Sequence, residues 1–588
     1  MRSCFHREIH YILLACLGIF LLAQCRHEVN ENDSFEVRVR LPEDPDMLHP
    51  IISKSILATE VETFIFSPMT AIDPVDLSLK PVLITGIPEP EIIEEGKYEG
   101  ARKLSLEIRP EAVWDNGQPI TVNDVIFTLK TVFLPGVPAA SWRSTLNIIE
   151  DVIPDPDDLK KFSIIIRENY FRTIMIATNY EVYPEYHYDP ELSLRNVSLA
   201  ELISEDPETM KLTATDSSIL AFIDNYQSAK FTRNEVVGSG PYTLTYWQDK
   251  LQIRLDRKSD WWGDQLVDEH PIFTANPSAI VYKIIPDEQT SLAAVKSDDI
   301  DVMGGVPVSD FKQMREDSNY NDKFYFFTPS FNRYYFMALN TKRPILSDPR
   351  VRLALAHLVE VDRFIEVLLD GMAIRTIGHI HPALPYYRKD LEPIPYDPEK
   401  ARQLLEEAGW KDTNQNGIVD KVIDGKLVEF RISYLATKRA VGQQMALSLQ
   451  ENARKLGIDI NVIQNDFREH LKSIKKRDFD VVAAAKTIPD GVVDPFQTWH
   501  SSNDTPEGDN WSGYGDRFTD SLIQVIRTTT DADARTNAYE EFQEALYRDQ
   551  PFIFLLCPTE GIIISKRFKA FESDLKPGYH PNYFELTD

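Results

Sequence analysis

LEIRPEAVWDNGQPITVNDVIFTLK, residues 106–130, carries the end of a strand, a turn and a helix in direct succession. Leu104, Leu106 and Ile108 recur at a spacing of two, the period at which a half-buried strand sends alternate side chains to opposite faces. Trp114, Asp115, Gly117 and Pro119 make the turn that follows. Thr121 with Asp124 three residues later reads as a capping box, and Val122, Val125, Ile126 and Leu129 then share one helical face. The apolar period switches from strand to helix within one stretch, which points to an α/β chain.

The same alternation continues outward. Leu251, Ile253 and Leu255, then Val428, Phe430 and Ile432, then Ile458, Ile460 and Val462 each show strand spacing. Asp348-Pro349 and Asp397-Pro398 each put a carboxylate at a helix N-cap and proline at the first helical position. The second of these helices carries Ala401, Leu404, Leu405 and Ala408 on one face and stops at Gly409; Ala538, Phe542, Ala545 and Leu546 form another stripe. No repeat of solenoid length is visible. A chain of 588 residues, 43% apolar and 26% charged, is neither disordered nor fibrous, and it exceeds what one core usually serves, so two or three lobes are expected. The formal net charge is −29, from 63 basic and 92 acidic residues. Nucleic acid is therefore not expected as a partner, since phosphate binding needs concentrated positive charge.

Residues 1–24 have the layout of an export signal: Arg2 and Arg7, then an apolar stretch from Tyr11 to Ala23, too short to span hydrocarbon comfortably. Leu22-Ala23-Gln24-Cys25 then gives way to the polar RHEVNENDS. This end resembles a bacterial lipoprotein signal, which implies lipidation at Cys25, with 25–32 as a tether; Gln24 stands where a small residue is usual, and an ordinary signal peptide cut nearby is the alternative. Only Cys25 and Cys557 would remain after cleavage, so large cores rather than disulfides must hold the fold.

Motifs for catalysis are scarce: there is no GxSxG elbow, HExxH pair, phosphate loop or GxGxxG fingerprint. Two patterns have metal-like spacing. Asp412, Asn414, Asn416 and Asp420 hold positions one, three, five and nine of a loop with Gly417 at six, the spacing that folds around Ca²⁺. The closing carboxylate would fall at Ile423, which cannot ligate, and the competing reading is an Asx-rich turn. His379 and His381 could point to one side of a strand, as a Zn²⁺ pair does, without a visible third ligand.

Residues 106–130 also resemble the signature stretch of the family 5 extracellular solute-binding proteins of ABC importers, which include dipeptide- and oligopeptide-binding lipoproteins. Further blocks follow in that family's order: VVGSGPYTL at 236–244, KSDWWG at 258–263 and IIPDEQTSLAAVKSDDIDVM at 284–303. FMALNTKRPILSDPRVRLALAHLVEVDRFIEVLLDG at 336–371, YDPEKARQLLEEAGW at 396–410 and YRDQPFIFLL at 547–556 complete the series. The resemblance spans essentially all of the chain after its first few dozen residues. It implies a two-lobed, hinged periplasmic-binding-protein fold with an extra inserted domain, mixed sheets flanked by helices. The implied division is 33–68, 236–330 and 561–588 for a discontinuous first domain, 69–235 for the second and 331–560 for the third.

The family's peptide binders hold the ligand ammonium with an aspartate and its carboxylate with a basic residue, both in the third domain. The corresponding stretch here is KTIPDGVVDPFQTW, 486–499. Three residues before Asp494 stands Gly491, and Asp490 lies one step earlier, either presented to a ligand by a one-residue shift or simply part of a P-D-G turn. For the carboxylate, ATKRAVGQQ at 436–444 offers Lys438 or Arg439. Trp499, His500, Trp511 and Tyr386 are candidate pocket walls, since amphipathic aromatics bury area while keeping a polar handle; Tyr387 and Tyr514 stand beside them. The expected protein is a lipid-anchored, monomeric binder of the periplasm or cell envelope. Without catalysis or cofactor, it would capture a small molecule or peptide in an interlobe cleft and hand it to ABC permease subunits. Other expectations weighed are an oligosaccharide or other small solute on the same fold, a largely helical surface nutrient-capture lipoprotein, and a secreted hydrolase using paired carboxylates.

Overall fold

Val37, Val39 and Leu41 point inward from the strand Glu36–Leu41, and all three are fully enclosed. In the computed structural model, which describes residues 35–587 apart from 168–169, 332, 438–439, 466, 488–492 and 506–507, this strand lies near the middle of a seven-stranded mixed sheet. It runs parallel to Ala279–Ile284 on one side and to Val302–Val306 on the other. Gln252–Arg257 and Tyr242–Gln248 extend the sheet past Ala279–Ile284, while Gly561–Ser565 and Phe324–Phe327 extend it past Val302–Val306. The sheet is thus assembled from the beginning, middle and end of the chain.

One buried carboxylate ties these distant pieces together. Asp301 accepts hydrogen bonds from the Arg38 backbone N–H at 2.8 Å and from Arg38 Nε at 2.9 Å, and from Arg567 Nε at 2.7 Å. Its side chain is 2% exposed. Burial alone would lower the Arg38 pKa, but the hydrogen bond and charge of Asp301 leave it raised.

The stretch 106–130 folds as its spacing predicts. Arg102–Glu107 is a strand, Val122–Phe133 is a helix, and the Thr121/Asp124 capping box forms, with Thr121 N–H donating to Asp124 Oδ2 at 2.9 Å. Arg102–Glu107 belongs to a four-stranded sheet with Pro90–Ile92, Lys161–Ile166 and Ile149–Pro154. The family blocks meet where this part joins the large sheet. Trp261 Nε1 and Trp262 Nε1 both donate to the Ser239 carbonyl, at 2.8 and 2.9 Å. Lys258 Nζ bridges Asp115 Oδ1 at 2.6 Å and the Gly238 carbonyl at 2.8 Å. Glycine is required in this turn by close approach: a Cβ at Gly238 would stand 2.3 Å from the Ile65 carbonyl oxygen, and one at Gly240 2.5 Å from that of Phe64.

The remaining large sheet has six strands in the order Ala373–Arg375, Phe552–Pro558, Arg333–Leu339, Val481–Thr487, Arg431–Thr437 and Asp459–Asn465. Two apolar clusters cover it, one around Trp410, Tyr434 and Leu449 and the other around Phe336, Trp499 and Phe552. Asp348 and Asp397 cap the helices Pro349–Ala356 and Pro398–Glu407 as expected, and Gly409 takes a left-handed φ of 88° just past the second. The alternation at 428–432 is divided between two strands, because Lys426–Glu429 turns into a hairpin with Asp420–Ile423 and Phe430 is buried at the junction. Two large mixed sheets and a four-stranded antiparallel one exclude the helical-repeat architecture of the nutrient-capture alternative.

Replacing Asp301 by alanine leaves two guanidinium groups facing each other without their shared anion. The expected loss is about 3 kcal/mol of unfolding free energy in urea titration, with secondary structure retained in buffer.

Candidate ligand cleft

The large sheets are joined by two adjacent chain crossings. Phe324–Phe327 leads through 328–331 toward Arg333–Leu339, and Phe552–Pro558 leads through 559–560 into Gly561–Ser565. The crossings touch, Glu560 N–H donating to the Pro329 carbonyl at 3.2 Å. Nearby, Ser330 Oγ and His381 Nε2 lie 2.6 Å apart, and Lys312 pairs with Asp370 at 2.6 Å.

Register shows which edge of the six-stranded sheet faces these crossings. Arg333 pairs with Thr487, and Tyr335 with Leu556, so the start of Arg333–Leu339 lies beside the carboxyl ends of Val481–Thr487 and Phe552–Pro558. Arg431–Thr437 runs parallel to both Val481–Thr487 and Asp459–Asn465 and ends at the same edge. The carboxyl ends of these parallel strands therefore face the crossings to the other lobe, the place where open α/β sheets offer a crevice for ligands.

Asp490, Lys438 and Arg439 lie outside the described residues. The strands that lead to them are Val481–Thr487 and Arg431–Thr437, neighbours in the sheet that both end at the cleft edge. Near the end of the first of these strands, Lys486 is half-buried and donates to Thr498 Oγ1. Burial lowers its pKa, and the charges of Asp509 and Asp494 act against that shift.

The aromatic candidates divide. Trp499 is 1% exposed, its ring centroid 4.4 Å from that of Phe552, so it packs within its own lobe. Tyr386 is half-buried and stacked on Tyr539 at 4.3 Å, with burial pushing its phenol up to about 12. His500 Nδ1 lies 2.8 Å from Ser502 Oγ, and its ring sits 4.7 Å from that of Phe496. Trp511 is half-buried against Phe336 at 6.2 Å. Tyr387 accepts from Ile377 N–H at 3.2 Å, and Tyr514 donates to Asp549 at 2.8 Å.

The metal-spaced loop closes on itself. Asp412 accepts from the N–H groups of Asn416 at 3.1 Å and Gly417 at 2.9 Å, and Asn414 also accepts from Asn416 N–H. Asn416 Oδ1 accepts from Ile418 N–H, while the fully buried Asp420 accepts from Thr413 N–H at 3.1 Å and from its hydroxyl. These are Asx-turn bonds. His379 and His381 are not on a strand, since Ala373–Arg375 ends before them and the chain bends at 377–380. His381 Nδ1 accepts from Ala383 N–H. His379 is enclosed between Trp499 and Phe542, neither ring nitrogen has a hydrogen-bond partner among the described residues, and burial lowers its pKa to about 3. Among the described residues no group of three or more His, Cys, Asp or Glu could hold a metal ion.

A further set of contacts reaches the six-stranded lobe from the inserted four-stranded part. Tyr170 OH donates to Asp494 Oδ2 at 2.6 Å, and Phe171 N–H donates to the Arg527 carbonyl at 2.9 Å. Neither Tyr170 nor Arg527 carries a motif or a periodic pattern; proximity alone reveals them.

The comparison with known families decides the identity. Residues 88–507 match the family described as bacterial extracellular solute-binding proteins, family 5 middle. The chain belongs to this family. It is a solute-binding protein of the periplasmic-binding-protein fold, not an enzyme. Oligopeptide-binding protein AppA of Bacillus subtilis is 24% identical over 591 residues, covering 97% of this chain and 95% of that protein. The solved structure of AppA in complex with a nonapeptide superposes with a TM-score of 0.61 at 22% identity, covering 94% of this chain and 99% of that one. That of HbpA2 from Haemophilus parasuis gives 0.74 at 18% identity, covering 94% and 100%.

His379 supplies a pH test of the cleft-side core. Its folded pKa of about 3 lies below the ordinary 6.5, so the unfolded chain binds more protons between those values. The stability held by neutral His379 is complete above the unfolded pKa and is lost as pH falls toward the folded one. His379→Gln is expected to flatten the urea-unfolding free energy against pH by up to ~1 kcal/mol per pH unit below 6. His49 and His580, also lowered by burial, keep a residual slope.

Proposed function

We propose that this protein captures a peptide-like solute in the cleft and delivers it to the permease subunits of an ABC transporter. The observation that carries this reading is the shared sheet edge: Val481–Thr487, which precedes Asp490 in sequence, and Arg431–Thr437, which precedes Lys438 and Arg439, are adjacent parallel strands that end on the same side. Opposite charges that follow adjacent strands in sequence suit the ammonium and carboxylate of a short peptide, because charge-assisted hydrogen bonds strengthen where closure excludes water. The name and the nonapeptide complex of AppA support the same solute class. Tyr386, His500 and Trp511 serve as walls around the peptide, and Trp499 acts as the packed floor behind them.

The working units are a first domain of 33–68, 236–330 and 561–588, a second of 69–235 and a third of 331–560. Solute binding stabilises the shut arrangement only by its differential affinity for shut over open, and the permease reads that population shift. The protein works as a monomer at the cell envelope, after removal of 1–24, held by lipid on Cys25.

Calorimetry with short peptides tests the solute class. Binding of a free peptide is expected to vanish when its amine is acetylated, and Asp490→Asn is expected to weaken it by about 2–5 kcal/mol. Tight binding of a neutral oligosaccharide, unaffected by Asp490→Asn, overturns the peptide reading. The anchor is tested by fractionation: Cys25→Ser is expected to move the protein from the membrane to the soluble fraction, and intact mass of the native chain should show cleavage before Cys25 with added lipid.

A further inference from the structure

The inserted four-stranded part and the six-stranded lobe are joined by no direct chain crossing, since residues 69–235 lead at both ends into segments of the seven-stranded side. Every contact between them is therefore non-covalent and separable. Segment 170–172, just before the helix Thr173–Thr178, lies against the loop before Phe496–Trp499 and against the helices Arg517–Thr528 and Ala532–Asp549. Six interactions converge there, four of them between the two parts. Tyr170 OH donates to Asp494 at 2.6 Å, and Phe171 N–H donates to the Arg527 carbonyl at 2.9 Å. The Arg527 guanidinium stands 4.8 Å from the Tyr170 ring centre and 4.3 Å from that of Phe496, and its Nε lies 3.2 Å from Asp494. Arg535 stands 5.4 Å from the Phe171 ring centre. Burial and the nearby Asp494 charge raise the Tyr170 pKa, so its hydroxyl remains a donor at physiological pH.

We infer that Tyr170, Asp494 and Arg527 form an interlobe clasp that must part for solute to enter or leave the cleft. The inference rests on the reading that the lobes swing apart around a solute, and it adds a specific set of contacts that such a swing would break. Its components suit a gate rather than a lock. One hydrogen bond to a carboxylate, one backbone hydrogen bond and cation–π contacts shift an equilibrium by tens-fold without sealing it. Asp494 keeps its other oxygen on the Phe496 N–H at 2.9 Å, so the carboxylate stays aimed when Tyr170 leaves.

The Phe171 amide gives a direct readout, because its partner, the Arg527 carbonyl, belongs to the six-stranded lobe. Hydrogen exchange resolved to single amides would be measured on the full chain, as purified and again after dialysis from mild denaturant to strip bound solute. Phe171 is expected to be protected in at least one of these samples, yet to exchange faster than the amides of the core strand Lys161–Ile166, since local opening requires no global unfolding. Tyr170→Phe should lower its protection roughly tenfold and leave that strand unchanged. Arg527→Ala should do the same and raise the radius of gyration in solution scattering. Protection of Phe171 equal to that of the strand, no protection in either sample, or no response to Tyr170→Phe overturns the clasp. Tetraalanine calorimetry on the same samples separates the two questions: absence of binding there counts against the peptide solute and leaves the clasp standing.

Discussion

The Asp301 carboxylate is the constraint on which the large sheet depends. Arg38 belongs to the first strand and Arg567 follows the last one, so a single buried anion holds the two ends of the chain beside a strand from its middle. A discontinuous sheet gains from such a device, because closing a loop of several hundred residues costs more conformational entropy than pairing neighbours in sequence. An anion shared by two arginines is also selective: moving the first strand by one residue would turn Arg38 to the other face and take one of its two cations from the buried carboxylate.

With that sheet in place, the rest of the architecture follows by attachment. The Ser239 carbonyl receives both indole N–H groups of the WW pair, and Lys258 reaches from the same corner to Asp115 in the turn before the helix Val122–Phe133. The inserted part is thereby oriented against the large sheet by a few polar contacts at glycine-thin backbone. On the far side, the two crossings at 328–331 and 559–560 leave the six-stranded lobe attached by two short strips of chain, which favours swinging over shearing. The carboxyl ends of the parallel strands lie at the sheet edge at which those strips arrive.

Much of this was legible beforehand where information is local. The strand, turn, capping box and helix at 104–133 formed as read, as did the Asp-Pro helix starts at 348 and 397, because periodicity and capping act within a few residues. Local reading was weaker where a residue type has several uses. Trp499 has the character of a pocket aromatic, yet its ring fills the space beside Phe552; His379 has the character of a ligand, yet it is enclosed between Trp499 and Phe542. The Asp412 loop has the spacing of a cation site, and its oxygens are taken up by its own N–H groups.

The sequence by itself determined the alternation of strands and helices, the acidic character of the chain and the ordered blocks that mark its family, since each is written in short-range pattern. Tertiary structure alone decided the order in which the strands 36–41, 279–284, 302–306 and 561–565 line up in one sheet, that the strands ending at 437 and 487 reach the same edge, and that Tyr170 meets Asp494. The physical reason is distance along the chain: Tyr170 and Asp494 are 324 positions apart, and no periodic or capping signal links side chains whose meeting depends on how two lobes settle against each other.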